Sequence, residues 1–103
     1  MADRPVSSAD GKDRNRHGRY DVYIVQCADS TYYTGSTNNL ERRLKLHNAG
    51  HGAKYLRGKG PVTLVYAKAY RSYKNAMRAE RNLKQLTRKR KAELIAVYAR
   101  SRG

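Results

Sequence analysis

From Tyr20 to Cys27 the chain reads YDVYIVQC, a run of β-branched and aromatic residues. The turn-forming ADST follows, and YYTGST then resumes the run, so residues 20–37 read as an antiparallel hairpin in which Tyr23 and Tyr33 are expected to face each other. The period then changes from strand to helix. Leu40, Leu44 and His47 recur at helical spacing behind an N-cap at Asn38 or Asn39, Arg43 lies on the stripe's edge, and Gly50 stops the helix. The stretch AGHGAKYLRGKGP, residues 49–61, holds four glycines and a proline and reads as a cationic loop. VTLVYAKAY supplies a third strand. Ser72 can cap a helix with the stripe Ala76, Ala79, Leu83 and Leu86, and Thr87 another holding Leu94, Ile95, Val97 and Tyr98. The expected order is ββαβαα: an α+β domain over residues 20–100, preceded at residues 1–19 by a polar leader too poor in apolar side chains to offset the entropy of ordering.

At 103 residues the chain has the size of one domain. No apolar run approaches the roughly 18 residues a membrane span needs, and the N-terminus lacks a signal peptide's apolar stretch. A cytoplasmic protein is expected, nucleoid-associated if bacterial. The single cysteine, Cys27, rules out an intramolecular disulfide and a Cys-rich zinc site; alternating with Tyr23 and Val25, it reads as a small buried hydrophobe. Charge changes the picture most: 23 lysines and arginines against 8 acids give a formal +15, which calls for a polyanion. Nucleic acid is the expected partner. Binding to a membrane surface would ask for a basic helix with a wide apolar opposite face, and no obligate protein partner is implied.

Cutting a phosphodiester needs a group that positions or activates water, a cation for the charge developing on phosphorus, and usually a metal on a carboxylate. Asp3, Asp10 and Asp13 fall in the leader, Asp29 in the hairpin turn, and Glu41 in the first turn of its helix, where it suits the dipole. Asp21 starts a strand and Glu93 lies among basic residues. Glu80 remains, four residues after Ala76 and three before Leu83, beside the buried stripe. It is either an ion-pair partner of Arg78, Arg81, Lys84 or Arg43, or the ligand of one Mg²⁺ or Mn²⁺ that keeps most of its waters. A lone carboxylate speaks against two-metal cleavage.

Nine tyrosines with no phenylalanine or tryptophan must also serve as core aromatics, and a phenol titrates near 10 unless a cation beside it favours the phenolate. Arg42 and Arg43 read first as phosphate binders; Arg43 shares its side with His47, which can close the apolar stripe, donate to phosphate, or pass a proton to a tyrosine. Lys54, Tyr55, Arg57 and Lys59 set cations beside a ring that can stack on a base. Lys84, Arg88 and Lys89, with Arg90 and Lys91, read as an electrostatic footprint for nucleic acid.

Over about residues 20–98 the chain resembles the GIY-YIG nuclease superfamily. The two tripeptides appear as Asp21-Val22-Tyr23 and Tyr33-Thr34-Gly35, GSTNNLERR resembles the segment carrying the family's arginine, and RAERNLKQL the segment carrying its glutamate. The resemblance implies catalytic roles for Tyr23, Tyr33, Arg43, His47 and Glu80, with Glu80 the metal ligand. It further implies a three-stranded antiparallel sheet flanked by helices, and single-step hydrolysis with one divalent ion. Asp21 replaces glycine and Thr34 isoleucine, neither at a chemical position. The likeness is greatest to small stand-alone bacterial members, which implies an endonuclease for single-stranded or structured DNA. A non-catalytic nucleic-acid-binding module is the alternative. Hydrolysis requires Glu80 to come within one ion's reach of both phenols and the guanidinium.

Overall fold

The computed structural model describes residues 19–50, 56 and 58–102, so the expected leader, apart from Arg19, and the loop residues Lys54, Tyr55 and Arg57 lie outside the described residues. The elements run β1 (Tyr20–Gln26), β2 (Tyr32–Thr37), α1 (Leu40–Asn48), β3 (Thr63–Tyr70), α2 (Tyr73–Gln85) and α3 (Arg88–Arg102). The order is ββαβαα. Both neighbours of β1 run antiparallel to it, and the strand order β2-β1-β3 leaves β2 on an edge.

β1 is covered on both faces, which is why it carries an unbroken buried run and not an alternation of apolar and polar residues. One face buries Tyr23, Val25 and Cys27 with Leu56 and Val62, under Leu40 and Leu44 of α1. The other buries Tyr20, Val22 and Ile24 against Ala76 and Leu83 of α2, with Leu94 and Ile95 of α3 packed beside them. The pairing of β1 with β3 shifts by one between Ile24 and Val25, and the extra residue of this bulge is Val65; Val65 and Tyr66 therefore both reach the α2–α3 side. Each aliphatic side chain wholly withdrawn from water here contributes roughly 2 kcal/mol.

The helix starts follow from short polar side chains. Asn39 Oδ1 accepts from Arg42 N (3.1 Å), Ser72 Oγ from Asn75 N (3.2 Å) and Thr87 Oγ1 from Arg90 N (3.2 Å). α1 stops before Gly50, whose φ of 82° a side chain would strain. Val97, expected on the apolar face of α3, is 53% exposed. α3 buries no residue fully, because it meets the sheet mainly along β3 and leaves most of its circumference to solvent.

The hairpin turn gathers two distant segments. Asp29 Oδ1 accepts from Thr31 N (3.1 Å) and Thr31 Oγ1 (2.6 Å), and Oδ2 pairs with Lys59 Nζ at 3.1 Å. Arg88 donates to Ser30 O at 2.9 Å and stacks its guanidinium 4.3 Å from the Tyr32 ring centre, tying the start of α3 to the same turn.

The register differs from the expectation for the tyrosines. Tyr23 pairs with Gly35 and Tyr33 with Val25, so the two phenols share a face as diagonal neighbours and not as a facing pair. A Cβ at Gly35 would lie 2.7 Å from the Tyr23 hydroxyl, 2.9 Å from its Cζ and 3.1 Å from Tyr33 Cε2. Gly35→Ala is therefore expected to destabilise the fold by about 1–3 kcal/mol, as overpacking does, and Tyr23→Phe should recover part of that loss; the midpoints of denaturant unfolding measure both. A second expectation concerns acid. The Thr31 hydroxyl, then its N–H, and the Lys59 ammonium hold the Asp29 carboxyl at about 2 instead of the ordinary 3.8. A depressed folded-state value means that the turn's contribution is complete above the unfolded value and is lost as pH falls through about 2. An acid series of melting temperatures should show this loss in the native chain, and Asp29→Asn should remove it.

Candidate active site

Asn39 sets the phase of α1. With the helix starting at Leu40, residues 40, 44 and 47 fall on one stripe over the sheet, and Arg43 falls within it, 2% exposed and not at its margin as expected. His47, also 2% exposed, ends the stripe. Its Nε2 shares a hydrogen bond of 2.9 Å with the hydroxyl of Tyr23, a side chain wholly out of solvent. The Tyr33 ring meets the same imidazole edge-on, 5.8 Å between centres and 73° between planes, and Tyr33 remains half-buried. Tyr23, Tyr33, Arg43 and His47 thus belong to one face of the hairpin. The Tyr23 hydroxyl fixes the imidazole, and the buried guanidinium, which does not deprotonate, adds a fixed positive charge on that side.

Glu80 comes from the other side. It follows Ala76 by one turn on the stripe of α2 that packs on Val22 and Ile24, and it is itself buried, where only a place beside the stripe was expected. Ser36 alternates with Gly35 along β2, hence points to that opposite face, and donates from Oγ to Glu80 Oε1 at 2.7 Å. Lys84 Nζ lies 2.9 Å from Oε2 as an ion pair, one turn further along α2. The pair falls short of hydrogen-bond geometry, and Oε2 is left buried without a hydrogen bond. The expected convergence is therefore corrected: the two phenols lie on one face of the edge strand with His47 and the buried Arg43 of α1 on that side, whereas Glu80 lies on the other face, bonded to Ser36, so the carboxylate does not join the phenols on a single face of the sheet.

The donor set fits one divalent cation held mainly by water. Among the described residues no group of three His, Cys, Asp or Glu is placed to hold a metal, whereas Glu80 Oε2 is an anionic oxygen lacking a hydrogen bond. Asp21 is a second buried carboxylate, 6% exposed; it lies on the tyrosine face beyond Tyr23 and pairs with Arg19 at 3.3 Å. Sequence reasoning missed Ser36 and the burial of Asp21. The alternation of YYTGST, read with the register of the hairpin, carries the signal for Ser36.

Of the cationic residues expected on nucleic acid, Arg42, Lys84, Arg88 and Lys89 are exposed and Lys59 is half-buried; Lys59, Lys84 and Arg88 each also hold a partner within the chain: Asp29, Glu80 and the Ser30–Tyr32 turn. An open cleft of about 460 Å³ lies beside His47, walled by Asn48, Gly50, Leu56, Gly58 and Pro61. Asn48 shapes it by accepting from Val62 N at 2.7 Å.

Comparison with known proteins agrees with this architecture. The chain is 52% identical over 75 residues to the UPF0213 protein CPE1444 of Clostridium perfringens, covering 73% of this chain and 81% of that one. To the UPF0213 protein VNG_2274C of Halobacterium salinarum it is 50% identical over 74 residues, covering 72% and 96%. The solution structure of the UPF0213 protein BH0048 from Bacillus halodurans superposes with a TM-score of 0.52 at 44% identity, over 77% of this chain and 84% of that one. That of EF2693 from E. faecalis gives 0.55 at 35% identity, over 79% and 86%. The GIY-YIG catalytic domain matches residues 19–93, nearly the whole described fold with both tripeptides, Arg43 and Glu80 inside it. The chain belongs to the GIY-YIG catalytic domain family, a nuclease superfamily, as a small member of the UPF0213 kind.

Proposed function

We propose that this protein is a metal-dependent endonuclease for single-stranded or structured DNA, with the scissile phosphate lying against the edge of β2. The observation that carries this reading is the pairing of a buried Tyr23–His47 hydrogen bond with a half-buried Tyr33 on one side of Gly35–Ser36, and a buried Glu80 on the other. In a chain of formal charge +15 such a place suits a phosphodiester.

Each side chain then has one task. Tyr33, half-buried beside His47, would orient the attacking water through its hydroxyl. Tyr23 does not meet solvent; it fixes the imidazole of His47 against Tyr33. Arg43 stabilises the charge that builds on the phosphorane oxygens, and because it is already buried and oriented it does so with little reorganisation. Glu80, oriented by Ser36, would hold a single Mg²⁺ or Mn²⁺, which would supply Lewis-acid stabilisation of the charge that develops in cleavage. The cleft beside His47 has room for an unstacked nucleotide, which favours a strand whose bases are not paired. Arg42 and Lys89, exposed on α1 and α3, extend the cationic surface to neighbouring phosphates.

Incubation with single-stranded, branched and duplex DNA and the matching RNAs, with and without Mg²⁺, tests the proposal. Metal-dependent nicking is expected, strongest on unpaired or branched DNA, abolished by Glu80→Gln and lowered about 10²-fold or more by Tyr33→Phe and by Arg43→Ala. Tight, salt-sensitive binding with no nicking, or nicking indifferent to Glu80, would instead identify a non-catalytic binding module.

A further inference from the structure

Glu80 is a carboxylate almost wholly removed from water, 2% exposed, in a helix that packs on the sheet. An isolated buried charge of this kind is costly, and the chain offsets the cost with two groups: the Ser36 hydroxyl on Oε1 and the Lys84 ammonium on Oε2. The two contacts differ in kind. Ser36 donates a directed hydrogen bond at 2.7 Å, whereas Lys84 stands 2.9 Å away as a charge without hydrogen-bond geometry. Lys84 also differs in exposure, with 39% of its side chain reaching solvent at the end of a four-carbon stem on the last turn of α2.

A hydrated divalent ion on Oε2 would need the very space that the ammonium fills. Oxygen ligands of Mg²⁺ stand at about 2.1 Å, and a monovalent cation 2.9 Å from the same oxygen would be pressed against the ion's water shell. Like charges at that range repel, and the flexible one yields.

We propose that Lys84 is a built-in stand-in for the divalent ion, neutralising Glu80 in the metal-free protein and swinging out to solvent when the metal is loaded, while Ser36 keeps the carboxylate oriented in both states. This rests on Glu80 being the metal ligand. The fold then needs no metal to tolerate its buried carboxylate, and each loading event frees one cation on the surface that faces substrate. Lys84, expected from sequence as a nucleic-acid contact, would serve as one only in the loaded protein.

Mn²⁺ binding measured by calorimetry on the wild type, Glu80→Gln and Lys84→Met, together with thermal melts in chelator and in Mg²⁺, tests this without recourse to cleavage. Glu80→Gln should lose the site. Lys84→Met should bind Mn²⁺ about fivefold more tightly, the factor expected from removing a half-exposed ion pair, and should melt lower than wild type in chelator but gain more from Mg²⁺. In the wild type, the Lys84 Cε resonance should shift toward that of a solvated lysine as Mg²⁺ is added, a readout that needs no variant. Mn²⁺ binding unaffected by Glu80→Gln would remove the metal-ligand reading itself. Binding that needs Glu80 but is equal or weaker in Lys84→Met, or a Lys84 resonance that does not move with Mg²⁺, would leave that reading intact and overturn the stand-in.

Discussion

Tyr23 lies across the Cα of Gly35, so close that even a methyl group there would meet its hydroxyl. That contact places the phenol over the edge strand, from where it reaches His47 Nε2 and fixes the imidazole beneath α1. The rest of the tyrosine face is arranged around this anchor: Tyr33 edge-on to the same imidazole, and Arg43 one helical turn before it. The second half of a GIY-YIG tripeptide thus has a steric reason in this chain. The glycine is required by the partner strand's tyrosine, and the two tyrosines share a face only because one residue separates Tyr33 from Gly35.

The edge position of β2 has a chemical consequence. A central strand would separate the groups above it from the groups below by two neighbouring strands, but an edge strand presents the rim of a single chain to solvent. Groups on its two faces can then meet at a substrate lying along that rim. Gly35 and Ser36, adjacent residues of opposite orientation, carry one group on each face: Tyr23 lies against the first and Glu80 is bonded to the second, and the proposed cleavage site is where a substrate would meet both. A one-residue slip of the β1–β2 register would exchange the two faces, and the deep burial of Val22, Ile24 and Val25 on opposite sides of β1 opposes such a slip.

Much of this was legible from local pattern. The strand runs, the caps at Asn39, Ser72 and Thr87 and the stripe of α2 are each set by a few neighbouring residues, so the element order followed from them. What depends on pairing was less legible. The register that makes Tyr23 and Tyr33 diagonal neighbours, the bulge at Val65, and the approach of Glu80 from beneath the sheet arise from contacts 8 to 44 residues apart, and spacing along the chain does not encode them directly. Charge was only partly legible: Lys59, Lys84 and Arg88 read as a cationic surface in sequence, and the structure adds that each also meets an acceptor or ring within the chain. Val97 shows the same limit for apolar residues, since helical spacing alone does not reveal how narrow a stripe α3 lays on β3.

The proposed meeting of both faces at one peptide of β2 is open to a single measurement, the paramagnetic broadening of backbone amide resonances as Mn²⁺ is added in small amounts to isotope-labelled protein. If an ion held by Glu80 sits at that rim, the first signals to broaden will be those of Gly35, Ser36 and Glu80, followed by Tyr33, while Asp29 and the end of α3 stay sharp. Broadening that begins elsewhere, or that spreads evenly over the sheet, would contradict the placement of a metal site at Gly35–Ser36.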